Sequence, residues 1–227
     1  MKSIISIAIL LSAISLTAYS QDQDPCAPNS TRAAELVKNF SAGGAGALAA
    51  ELEVAKDVCS SFALEAFRIV VDDRNPIWRL QRATEVNSFF AFEAFRKVAD
   101  NDYKEWELKW AAQVNTEYAS KAFDFVSDER YDIKELEYAS GIDNTFAFQA
   151  FEAIKADGVV EIWELRWAAE VNNPYALECF EMVVDNEYSE WEIRWTSQMD
   201  SQRQVNIVRN LRQIGYNEAQ LQAVANL

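Results

Sequence analysis

Apolar residues recur along this chain in pairs of runs, each about eleven residues long with helical spacing, and the pair returns about every 28 residues. In register, the boundaries between units fall near Asp72, Asp100, Asp128, Asp157 and Asp185, giving about six units over residues 44–214. The clearest copies read DNDYKEWELKWAAQVNTEYASKAFDFV from Asp100 and DGVVEIWELRWAAEVNNPYALECFEMV from Asp157. Comparing equivalent positions separates interior from surface. In the first run one position reads Leu52, Leu80, Leu108, Leu136, Leu165, Ile193, and another Val58, Val86, Val114, Ile142, Val171, Met199. A strictly small position runs Ala55, Ala83, Ala111, Ala139, Ala168, which lets neighbouring helices approach closely. In the second run Phe67, Phe95, Phe123, Phe151 and Phe180 recur, followed by Val208. Beside them Ala66, Ala94, Ala122 and Ala150 give way to Cys179, which is therefore read as a small buried hydrophobe.

Polar punctuation sets the helix ends. Asn87, Asn115, Asp143, Asn172 and Asp200 split the two runs and suit a helix end or an N-cap. Pro174 fits the first turn of a second helix, and Asp102 with Glu105, or Asp132 with Glu135, has capping-box spacing. Ser30 is placed as the cap of a helix over 31–40, followed by a break at Gly43 and Gly44. At the far end Arg203 and Gln204 predict a polar terminal face, Gly215 a helix stop and Asn217 the start of a short last helix.

Two short helices per unit cannot bury their apolar faces alone, and stacking neighbours gives one continuous core. The pattern resembles HEAT-like and TPR-like superhelices in architecture, across residues 44–214. It lacks the Trp-Leu-Gly-Tyr pattern of the TPR family, and its unit is shorter than either family's, so no family function follows. The expected fold is all-α: a right-handed-type α-solenoid of about six two-helix repeats with helical caps. Residues 1–20 read as a signal peptide, 21–43 as an N-terminal segment with a capping helix, and 215–227 as a C-terminal capping helix.

The signal peptide rests on Lys2, the apolar run from Ile4 to Leu16, and the small-x-small site Ala18-Tyr19-Ser20. Cleavage there predicts an exported protein, periplasmic or extracellular, with no membrane insertion afterwards, because no other stretch is apolar enough to span a bilayer. Export makes a disulfide between Cys26 and Cys59 chemically reasonable. The chain carries a formal charge of −15, one unit more negative without Lys2. That sign opposes binding to nucleic acid or anionic lipid, and it mainly serves solubility, with a basic partner as the second reading.

All seven tryptophans occupy two positions of the repeat. The first reads Ala50, Trp78, Trp106, Lys134, Trp163, Trp191; the second Val54, Arg82, Trp110, Tyr138, Trp167, Trp195. At about 100° per residue, Trp106 and Trp110 point roughly 160° away from Leu108 around their helix. Positions that accept Lys or Arg in place of Trp are seldom fully buried. Two readings follow: rings packed between adjacent first helices with their edges showing, or an exposed aromatic ladder flanked by Lys109, Arg166 and Arg194. The recurring Glu51, Glu107, Glu135, Glu164 and Glu192 read as first-turn acids that complement the helix dipole.

Catalysis has little support. The chain has no histidine, its acids recur in every unit, and phosphate-binding loops and nucleophile elbows are absent. The acidic turns lack the glycine and final acid of a calcium loop, so no metal or cofactor is expected. The expected function is non-catalytic binding of a protein or peptide along a face lined by Trp78, Trp106, Trp110, Tyr138, Trp163, Trp167, Trp191 and Trp195. A polysaccharide-binding module is the alternative, and a carboxylate-based glycoside hydrolase the third reading.

Overall fold

A computed structural model describes residues 24–40, 45–71, 76–100, 104–127, 132–157, 161–184 and 188–227. The proposed signal peptide, Gly43, Gly44 and Asp102 lie outside these residues. Every regular element among the described residues is an α-helix, and the helices fall into two rows. The first helices of the units, with the terminal helix, form one row: α2 (Ala45–Ala55), α4 (Ile77–Thr84), α6 (Glu105–Ala112), α8 (Ile133–Ser140), α10 (Ile162–Ala169), α12 (Glu190–Thr196) and α14 (Glu218–Ala225). The second helices form the other row: α1 (Ala27–Phe40), α3 (Ser61–Val70), α5 (Phe89–Ala99), α7 (Glu117–Ser127), α9 (Thr145–Asp157), α11 (Pro174–Val184) and α13 (Gln202–Ile214).

Each helix packs on its nearest neighbours within its own row. Each second helix also packs on the first helix that follows it in the chain, as α5 does on α6 and α7 on α8. The apolar series drive this. Phe67, Phe95, Phe123, Phe151 and Phe180 are wholly buried, as are Leu80, Leu108, Leu136 and Ile193 and the alanines from Ala55 to Ala168. Leu52, in the first unit, is only half-buried because fewer neighbours cover it. Fully burying such a leucine or phenylalanine contributes about 1.5–3 kcal/mol, so the interior series supplies most of the favourable term.

The helix caps sit one residue later than the sequence suggested. Ser60, Ser88, Thr116, Asn144, Asn173 and Ser201 cap the second helices, each accepting the backbone N–H three residues on, at 2.8–3.4 Å. The reason lies between units. The Ser60, Ser88 and Thr116 hydroxyls also donate to the carbonyls of Val86, Val114 and Ile142, and the Asn173 amide donates to that of Met199. One side chain thus closes a helix and satisfies an otherwise free carbonyl in the next unit.

Both ends depart from expectation. α1 begins at Ala27, and the Ser30 hydroxyl donates to the Ala27 carbonyl inside the helix instead of capping it. Gln204 is buried rather than part of a polar face. Its amide donates to the carbonyls of Val224 and Ala225, closing the C-terminus of α14. Gly215, at φ 82°, ends α13, and Asn217 caps α14 as expected. Cys26 and Cys59 form a disulfide that fastens α1 to the chain entering α3.

Candidate functional site at the tryptophan row

The tryptophans all lie on first helices, and the recurrent glutamate beside them is built into the helix start. In α6, α8, α10 and α12 the carboxylates of Glu107, Glu135, Glu164 and Glu192 accept the backbone N–H of Lys104, Asp132, Glu161 and Ser189. Each is the reaching-back half of a capping box, and Asp132 with Glu135 is the pair the sequence marked. Glu107 and Glu164 are buried despite their charge. The dipole-complementing role is therefore joined by a hydrogen-bonding one.

In Glu164 and Glu192 the second carboxylate oxygen reaches the neighbouring unit. Tyr188, just before α12, donates its hydroxyl to Glu164 at 2.6 Å and sets its ring edge against Trp163, with centroids 6.1 Å apart. Tyr216, just before α14, repeats both contacts with Glu192 at 2.6 Å and Trp191 at 5.9 Å. Burial first, and then the Glu192 carboxylate, push the Tyr216 hydroxyl well above its ordinary value, so it remains a donor. Trp, Glu and the following Tyr form a clamp between successive first helices. Edge-to-face rings of this kind contribute about 0.5–1.5 kcal/mol beyond the area they bury.

The second tryptophan position also spans units. Trp167 donates Nε1 to Glu190 at 3.4 Å, and Arg82, in the equivalent place, pairs with Glu105 at 3.1 Å. Burial works against the Arg82 charge, but Glu105 and Glu85 outweigh it and hold the guanidinium above its usual value. Arginine at this position therefore does not mark open surface. It does the same work as the indole, delivering a donor to the first-turn acid of the next helix. Trp110 has Ile133 in place of that acid, and its buried Nε1 has no partner.

Cations cover the ring faces. Lys109 sits 4.3 Å from the Trp110 centroid and Arg166 4.5 Å from that of Trp167. Arg194 lies 4.6 Å from Trp195 and 5.6 Å from Trp167, so indole and guanidinium alternate along α10 and α12. Arg79 and Lys104 lie over Trp78 and Trp106 at 5.6 and 5.4 Å. Each contact is worth roughly 0.5–1 kcal/mol at an exposed rim.

Of the eight residues expected to line a binding face, Trp167 and Trp195 are buried, at 5% and 8% exposure. Trp78, Trp106, Trp110, Tyr138, Trp163 and Trp191 are half-buried, and Lys134 is exposed. The rings are therefore packed between repeats with edges showing. The tyrosines were not singled out from the sequence, although a signal was present. Tyr103, Tyr131, Tyr188 and Tyr216 recur in register, and Val160 stands in that series where Lys134 interrupts the tryptophans.

Elsewhere the chemistry is sparse. Cys179 is buried, and burial pushes its thiol up to about 12. No cluster of metal-binding side chains occurs among the described residues, and no described helix is long and apolar enough to cross a membrane. An open groove of about 570 Å³ runs between α11 and α13, with the Glu178–Arg209 ion pair on its wall. Together these features define an all-helical, repeat-like protein with a disulfide at its N-terminal end. No known family matches the chain, and neither a curated protein nor a solved structure shows significant similarity to it.

Proposed function

We propose that the chain is an exported, non-catalytic binding scaffold whose helix pairs stack as an α-solenoid and hold a protein or peptide partner along the first-helix row. The two rows, each helix packed on its neighbours within the row, support the solenoid reading. The disulfide fits an oxidising compartment, periplasmic or extracellular. The observation that carries the binding reading is the line of half-exposed aromatic edges with Lys104, Lys109, Arg166 and Arg194 beside them. Amphipathic rings next to cations are the side chains that dominate protein interfaces. In this reading Trp167 and Trp195 act from beneath, fixing the two arginines. Sugar stacking needs an open ring face, and the faces at the second tryptophan position are taken by cations, which favours a peptide over a polysaccharide.

Capture from the source organism's exported fraction by the immobilised chain tests this. Arg166→Glu with Arg194→Glu should abolish capture while helicity is kept, whereas Glu152→Lys on the opposite row should not. Capture unaffected by the two arginine changes overturns the assignment.

A further inference from the structure

The joints of the first-helix row are not equal. The α10–α12 and α12–α14 joints each carry a tryptophan–tyrosine contact and a tyrosine–glutamate hydrogen bond. At the α8–α10 joint the register places Lys134 where the tryptophan belongs and Val160 where the tyrosine belongs. Valine has neither ring nor hydroxyl, so neither half of the clamp can be made there. Glu135 keeps its N-cap bond to Asp132, and Lys134 turns to Glu137 of its own helix at 2.6 Å, on the exposed side. The second position fares no better. The first residue of α10 is Ile162, where α6 and α12 begin with Glu105 and Glu190, so the register sets an isoleucine opposite Tyr138 in place of that acid.

The interior beneath this joint is intact, since Leu136, Ala139, Leu165 and Ala168 are all buried. The irregularity lies at the rim. The second helix of the α8 unit, α9, has 13 residues where α5, α7 and α11 have 11. In a linear array, stability is close to the sum of the units and their nearest-neighbour interfaces, and the weakest interface opens first.

We propose that the α8–α10 interface is a built-in weak joint, at which the folded chain opens most readily and bends between residues 24–140 and 145–227, since α9 packs on α10 and α11 and moves with them. An ordinary array frays from its ends, so a minimum of protection in the middle distinguishes this device from simple fraying. The helices α6, α8, α10 and α12 are each seven or eight residues long, so α6 and α12 serve as internal controls for α8 and α10.

Native-state hydrogen exchange on the full, disulfide-intact chain reads the joint directly. Losing the ring pair and the hydroxyl bond should make the amides of α8 and α10 exchange at least about tenfold faster than those of α6 and α12. The double substitution Lys134→Trp with Val160→Tyr should slow them to the level of α12. Tyr188→Phe, which only removes a hydroxyl, should quicken exchange at the α10–α12 joint instead. Protection in α8 and α10 equal to or above that of both neighbours overturns the proposal. So does a folded double variant that leaves their exchange unchanged.

Discussion

Glu164→Ala removes a carboxylate that closes one helix and ties it to the next. Glu164 is 5% exposed, and it accepts both the Glu161 N–H and the Tyr188 hydroxyl at 2.6 Å. Alanine leaves two donors without an acceptor. The lost cap costs about 1 kcal/mol. The charge-assisted bond to Tyr188 adds about 1.5–3 kcal/mol, less what water recovers at a half-buried hydroxyl. The net expectation is about 2–3 kcal/mol. For a chain of this size each 1 kcal/mol moves the midpoint by about 2–4 °C, so Tm should fall by about 4–12 °C. Glu135→Ala is the built-in control. Glu135 has the same place and accepts the Asp132 N–H at 2.8 Å, but its register partner across the joint is Val160. Its loss should cost only the cap, about 1 kcal/mol. Urea unfolding followed by far-UV circular dichroism compares the two. A double-mutant cycle of Glu164→Gln with Tyr188→Phe should return a coupling of about 1 kcal/mol. Equal losses for the two alanine variants, together with no coupling, would refute the clamp.

Three further predictions follow from the same geometry. Ile133→Glu offers an acceptor to the buried Nε1 of Trp110, whose isolation costs about 1–3 kcal/mol; after loss of the partly exposed isoleucine, a gain of about 1 kcal/mol is expected in thermal melts. Cys179 should resist iodoacetamide at pH 8 in the folded chain and react on unfolding in urea, because burial holds its thiol near 12; ready labelling of the native protein would contradict this. Reducing Cys26–Cys59, which are 33 residues apart, should cost about 3–4 kcal/mol and loosen α1 before the rest, as read by hydrogen exchange.

The interior was legible because a repeat is its own comparison. Leu80, Ala83, Val86 and Phe95 recur in later units with the same shape, and the structure buries each of them. Helix ends were harder. Asn87 and Asn115 carry cap chemistry, yet Ser88 and Thr116 take the role because their hydroxyls also serve a carbonyl of the next unit. That demand is long-range and leaves no trace within one unit. The tryptophan row stayed between two readings for a related reason. Arg82 argued for exposure, since a lone arginine is costly to bury, but Glu105 of the next helix meets it. Substitution by a charge marks solvent only where no opposite charge recurs at the facing position. The two series carry the contact in register, Arg82 facing Glu105 as Trp167 faces Glu190. Gln204 misled similarly: polar in the sequence, it is buried because the carbonyls of Val224 and Ala225 need donors.

The tryptophan rings pack between repeats, two of them buried and five half-buried. Acrylamide quenching of tryptophan fluorescence in the native chain measures that packing most directly. The account predicts a blue-shifted emission and quenching far weaker than in the urea-unfolded chain, with a small accessible component from the half-buried rings. Quenching in the native chain as strong as in the unfolded one would contradict it.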